Sequence, residues 1–154
     1  MRSSNSAVGA LIKGDVMQSK SAIRTLPTVL VVDDEPEVRA VERRVLEGVG
    51  YCVLEATNGA EGIDRIAGAV RLDLLIADLQ MPVVCGDEMV RRIRAARPDI
   101  PVLFVTGHID RLMDARSLWE GEAFLEKPFT VVGLREAVSL LLHGTLGTRA
   151  VGTN

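Results

Sequence analysis

Five times along the chain a short run of β-branched and aliphatic side chains gives way to a stretch with helical spacing, and no other feature restricts the fold as much. The runs are TVLVV (28–32), YCVLEA (51–56), LDLLIAD (72–78), PVLFVT (101–106) and AFLEK (123–127). After the first, DDEPEVRAVERRVLEGVG places Val38, Val41, Val45, Leu46 and Val49 on one helical stripe, with Pro36 in the first turn and Gly50 at the end. NGAEGIDRIAGAV predicts a second helix opening near Asn58, and DEMVRRIRAARP a third that Pro98 stops. IDRLMDARSLW reads as a weaker fourth and TVVGLREAVSLLLHG as a fifth. Strands joined by helix-sized crossovers must run parallel, and both faces of such a sheet must be covered. The predicted class is therefore doubly wound α/β.

Composition narrows the function. A chain of 154 residues with 47% hydrophobic side chains has enough apolar material for one domain with a real core. A net charge of −3 supplies no basic field, which argues against nucleic acid as a direct partner. Cys52 and Cys85 have neither zinc-ligand spacing nor a disulfide framework, so reduced thiols in a cytoplasm are expected. No apolar run matches a signal peptide or a membrane span, and a soluble chain without membrane association is expected. Residues 1–27, Ser-rich and punctuated by Gly9, Gly14 and Pro27, read as a flexible leader. Val8, Leu11 and Ile12 at helical spacing offer a partner-binding helix as the alternative, and Met17 an alternative start. Residues 28–143 form the expected folded domain, and 144–154 a short, polar, glycine-rich tail.

In parallel sheets ligands gather outside the carboxyl ends of the strands. The residues that close the strands here are Asp33 and Asp34, Asp78, Thr106 and Lys127. Taken singly each has an ordinary reading: the acids start turns or cap the helix near Pro36, Thr106 satisfies backbone groups, and Lys127 is a surface charge. Together they are harder to dismiss. Three carboxylates crowded on one edge repel unless a cation joins them, and hard oxygen ligands on a solvated edge suit Mg²⁺. A carboxylate flanked by Mg²⁺, an ammonium and a hydroxyl is equipped to attack a phosphoryl group, with Asp78, the central acid, as nucleophile.

The pieces VVDDE, DLQMP followed by Gly86, VTG and FLEKPF, in this order at successive strand ends, resemble the receiver domain of two-component response regulators from Thr28 to about His143. The resemblance implies a flavodoxin-like strand order 2-1-3-4-5. It implies that Asp78 is the phosphoacceptor, taking phosphate from a histidine kinase or phosphotransfer protein. Asp33 and Asp34 would hold Mg²⁺, together with Asp78 and the backbone carbonyl of Gln80. Thr106 and Lys127 would engage the phosphate, a cis peptide would precede Pro128, and Phe124 would be the switch aromatic. Gln80 and His108 would occupy positions that tune phosphoryl hydrolysis. Core packing is the competing reading of Phe124.

The chain departs from the family's pattern in two places. MPVVCG sets Val83, Val84 and Cys85 near the site mouth, where an inert thiol is the expectation because no basic neighbour accompanies Cys85. SLWEGEA lacks the usual Gly-Ala before the fifth strand. The implied function is a stand-alone, phosphorylation-dependent switch rather than a turnover enzyme. It would signal to a downstream protein through the surface of its fourth helix, fifth strand and fifth helix, with Trp119 at or beside that face. A homodimer is left open. A phosphate shuttle or sink in a phosphorelay is the alternative. An aspartyl-phosphate phosphatase of the haloacid dehalogenase type would need Asp-x-Asp after the first strand. A flavodoxin-like FMN carrier would need a Ser/Thr/Gly-rich phosphate loop where this chain has VDDEPE.

Overall fold

The computed structural model describes residues 26–69, 71–110 and 121–144. Strands β1 (Thr28–Val32), β2 (Cys52–Ala56), β3 (Leu74–Asp78), β4 (Val102–Thr106) and β5 (Glu122–Glu126) run parallel in one sheet, in the order β2-β1-β3-β4-β5. The helices of the described residues are α1 (Pro36–Gly48), α2 (Gly59–Gly68), α3 (Gly86–Ala96) and α4 (Val131–His143). The doubly wound class and the 2-1-3-4-5 order are as expected. The predicted fourth helix, beyond its first two residues and including Trp119, lies outside the described residues, as do most of the leader and the tail.

Alternation along the central strands explains the two layers. Val29 and Val31 point to the side of α1 and α4, where they pack with Val45, Leu46, Leu134 and Val138. Leu30 and Val32 point to the other side, toward Ile66, Met89, Val90 and Ile93 of α2 and α3. Strands covered on both faces read as unbroken apolar runs, which is why TVLVV and LLIAD show no polar alternation. Each fully buried aliphatic side chain contributes about 1.5–3 kcal/mol relative to exposure. On the edge strand β5, Ala123 and Leu125 pack toward the α1/α4 layer, while Phe124 on the opposite face is 44% exposed.

Helix α1 departs from its predicted stripe. Val45 and Leu46 are buried, but Val41 and Val49 are exposed, and Glu42 is fully buried. At 3.6 residues per turn a face centred on positions 42, 45 and 46 leaves 41 at its margin. Val49 lies one residue past the last turn and leaves the helical path. Neither Asp33 nor Asp34 caps α1 as N-cap residue: Glu35 takes that position without a side-chain cap bond, and Pro36 follows. Asn58 caps α2 as predicted, accepting a hydrogen bond from the Glu61 amide at 2.8 Å while Glu61 reaches back to Thr57.

The loop after β3 is held close to its strand by Gly86, whose amide donates to the Leu79 carbonyl at 3.2 Å. A Cβ at Gly86 would stand 2.1 Å from the carbonyl oxygen of Asp78. Backbone cannot yield as a flexible side chain would, so any larger residue must push the chain that carries Asp78. Gly86→Ala is therefore expected to lower the unfolding free energy by about 1–3 kcal/mol, the usual cost of overpacking, as measured by urea denaturation.

Candidate functional site

Parallel strands bring their carboxyl ends to one edge. There Asp33 follows β1, Asp78 closes β3, Thr106 closes β4 and Lys127 follows β5. Carboxylate oxygens of Asp33, Asp34, Glu35 and Asp78 all lie within 4.8 Å of one another. Asp33 and Asp78 are buried, whereas Asp34 and Glu35 are exposed. The Lys127 ammonium sits among them, 2.9 Å from Asp33, 3.0 Å from Glu35 and 3.3 Å from Asp78. A cavity of about 300 Å³ opens over the group, lined by Asp34, Glu35, Asp78, Gln80, His108 and Lys127 together with Gly107.

Local backbone geometry aims each acid. The Glu35 amide donates to Asp33 Oδ1 at 2.9 Å, and the Gln80 amide to Asp78 Oδ1 at 3.1 Å, two short turns that each start on an aspartate. Lys127 donates its backbone N–H to the Thr106 carbonyl at 2.9 Å, which continues the β4–β5 ladder past the strand ends. The Lys127–Pro128 peptide is cis. The Thr106 hydroxyl accepts from the His108 amide at 3.0 Å. Register pairs Thr106 with Glu126 and Phe104 with Phe124, so alternation puts Thr106 and Phe124 on the same face of the sheet. Cys85 is exposed at the N-cap of α3, outside the acid group. Val83, two residues before it in the loop, is 96% exposed at φ 70°, a left-handed backbone that β-branched residues rarely adopt.

Burial pushes the Asp78 carboxyl above its ordinary value, only partly offset by the Gln80 amide and Lys127. For Lys127 burial acts to lower the ammonium, but hydrogen bonds to Asp33 and Glu35 and the charges of Asp33 and Asp78 outweigh it and hold it well above its usual range. One fixed ammonium thus faces four carboxyl groups. A donor set made only of carboxylate oxygens, short of positive charge and open to solvent, fits a hard divalent cation such as Mg²⁺.

The family model for the response regulator receiver domain matches residues 29–139. The chain belongs to the response regulator receiver family. Among curated proteins, it is 35% identical over 127 residues to hybrid signal transduction histidine kinase D of Dictyostelium discoideum, covering 80% of this chain and 8% of that protein. It is 36% identical over 118 residues to the response regulator MprA of Mycobacterium avium, covering 76% of this chain and 51% of the relative. The chain spans only a small part of its kinase relatives. Among solved structures, the chemotaxis protein CheY4 of Vibrio cholerae aligns with a TM-score of 0.68 at 28% identity, covering 77% of this chain and all of the other (100%). The response regulator TrrA of Thermotoga maritima, solved in complex with Mg²⁺ and BeF, aligns at 0.67 and 30% identity, covering 76% and 100%.

Two members of the receiver's site region escaped the sequence reading. Glu35 joins the acid group, and the only hint was its place in the run Asp33-Asp34-Glu35. Glu42 gave no hint, because a glutamate beside Arg43 and Arg44 reads as a solvated face. It is 0% exposed, and among the described residues neither carboxyl oxygen has a hydrogen-bond partner. Burial first, then the negative charges of Asp33 and Asp78 against the opposing cations Lys127 and Arg39, push its pKa from 4.5 up to about 8. The folded state therefore keeps this proton where the unfolded chain has released it. The contribution to stability is fully present below about pH 4.5 and is lost as pH rises through about 8. Glu42→Leu is expected to flatten that decline and to raise the unfolding free energy at pH 8 by about 1–4 kcal/mol. Denaturant titrations of both proteins between pH 5 and pH 8 measure it, and parallel slopes would refute it.

Proposed function

We propose that this receiver domain takes a phosphoryl group on Asp78 from a phosphohistidine of a kinase or phosphotransfer protein. The observation that carries the reading is the Asp78 carboxylate, buried on one side, 3.3 Å from Lys127, within the acid group and beneath an open cavity. An Asp78 oxygen bonds to phosphorus as the donor's P–N bond breaks; the bonding pair stays on the donor nitrogen, so a phosphohistidine protonated on its other ring nitrogen leaves as neutral imidazole and Asp78 becomes the acyl phosphate. The Gln80 amide fixes Asp78 Oδ1, so the carboxylate meets the incoming group in one orientation. Lys127 is placed to pair with an oxygen of the transferred group as negative charge spreads over it. Asp33, Asp34 and Asp78, with the backbone carbonyl of Gln80, would hold Mg²⁺, which when bound supplies the remaining charge neutralisation.

A second cavity supports a protein as donor. A groove of about 500 Å³ is lined by Val38, Val41, Pro128 and Phe129, with Glu37, and shares Glu35 and Lys127 with the acid site. An apolar surface seated in that groove would reach Glu35 and Lys127, which also line the acid site. For output, Thr106 and Phe124 share a sheet face, and Phe124 is partly exposed on the edge strand. Drawing the Thr106 hydroxyl toward a phosphate would free space on that face for Phe124, changing the surface of β5 and its neighbouring helices. No helix among the described residues is long and apolar enough to cross a membrane.

Incubation with Mg²⁺ and acetyl phosphate should add the mass of one phosphoryl group to the intact protein. Asp78→Asn, which keeps volume and removes the nucleophile, should abolish that gain while leaving the circular dichroism spectrum unchanged. Chelation of Mg²⁺ should abolish it in the wild type. A full mass gain in Asp78→Asn would overturn the assignment.

A further inference from the structure

Arg39, one turn into α1, is tied at both ends. Its Nη1 donates to the backbone carbonyl of Asp33 at 2.7 Å, and its Nε lies 3.5 Å from Glu55 Oε1 on β2. The side chain is only 16% exposed. The other oxygen of Glu55 meets Arg43 at 2.7 Å in a separate, solvent-exposed pair. On its other side, the Asp33 amide donates to the Ala56 carbonyl at 3.3 Å, one residue beyond Glu55 on the same strand. Both backbone polar groups of Asp33 are therefore anchored to β2, one directly and one through Arg39.

We propose that Arg39 and Glu55 form a positioning strut that fixes the Asp33–Asp34 loop for Mg²⁺, so that Arg39 promotes cation binding although it is itself a cation. The inference rests on the acid group being the metal site of the proposed phosphoacceptor. Two physical effects of Arg39 oppose each other. Its charge repels a divalent cation near Asp33, while its hydrogen bond holds the Asp33 peptide, and with it the carboxylates of Asp33 and Asp34, at ligand spacing. Partners that orient metal ligands are worth a factor of about 10–100 in affinity, whereas the charge of Arg39 is offset by the Glu55 carboxylate 3.5 Å away and so acts weakly on the acid group. The strut is therefore the larger effect. Arg43 provides the matched comparison, because it carries the same charge and touches Glu55 without reaching Asp33.

The test has two readouts. In the metal-free protein, amide hydrogen exchange at Asp33 and Glu35 should quicken in Arg39→Ala and stay at the wild-type rate in Arg43→Ala. In calorimetric titration with MgCl₂, Arg39→Ala should bind about 10-fold more weakly, Arg39→Lys should recover part of the loss, and Arg43→Ala should bind as the wild type does. Glu55→Gln, which weakens the far anchor and leaves the Arg39–Asp33 bond, should shift both readouts in the same direction and serves if Arg39→Ala fails to fold. Unchanged exchange at Asp33 and Glu35, or unchanged or tighter Mg²⁺ binding by Arg39→Ala, would overturn the strut. A wild type that binds no Mg²⁺ would instead defeat the metal-site reading, and the exchange rates would still decide whether Arg39 holds the loop.

Discussion

Four carboxyl groups with oxygens inside 4.8 Å of each other repel strongly, and the architecture at the end of the sheet is organised around containing that repulsion. Lys127 supplies the central positive charge, with three carboxylates within 3.3 Å of its ammonium. Arg39 supplies a second cation behind Asp33, spent on a carbonyl and on Glu55 rather than on the acids themselves. Glu42 beneath them avoids adding to the problem by holding its proton up to about pH 8. The site is thus under-neutralised by its own residues. That shortfall gives a hard cation a reason to bind.

The rest of the fold serves to keep those charges where they are. Asp33 and Asp78 extend strands buried on both faces, so their backbone positions are fixed by the packing of Val29–Val32 and Leu74–Ala77 against two helix layers. Interiors packed to crystal-like density do not deform continuously, and the acids inherit that rigidity. The connecting loops carry the adjustable parts. Gly86 presses against the Asp78 carbonyl, and Val83 stands almost fully exposed in a left-handed conformation in the same loop.

Much of this was legible before any coordinates. The strand runs and the residues that close them follow from apolar runs and crossover rules, because central strands of a parallel sheet have no polar face to obscure the pattern; the 2-1-3-4-5 order came only from the resemblance to receiver domains. Asp33, Asp34, Asp78, Thr106 and Lys127 come together because each sits at the same end of its strand. Helix α1 was misread because a stripe of valines was allowed to set the core face, whereas packing against α4 and β1 selects the face of Glu42, Val45 and Leu46. Arg39 was invisible for a related reason. Its role lies in a bond to a backbone carbonyl and in a strand partner sixteen positions further on, and a linear sequence displays neither.

The strand order has a consequence for how the molecule comes into being. β1 is flanked by β2 and β3, and the pocket closes only when Lys127 reaches partners 49 and 92 positions earlier in the chain. Such long loops must be closed before any of these contacts stabilises the chain, so the pocket belongs to the slow, late part of folding. An unfolded chain holds these acids far apart and offers a divalent ion no comparable cage. A cation bound there would weight the native state alone, and the concentration of free Mg²⁺ would then be one of the variables that set the domain's stability.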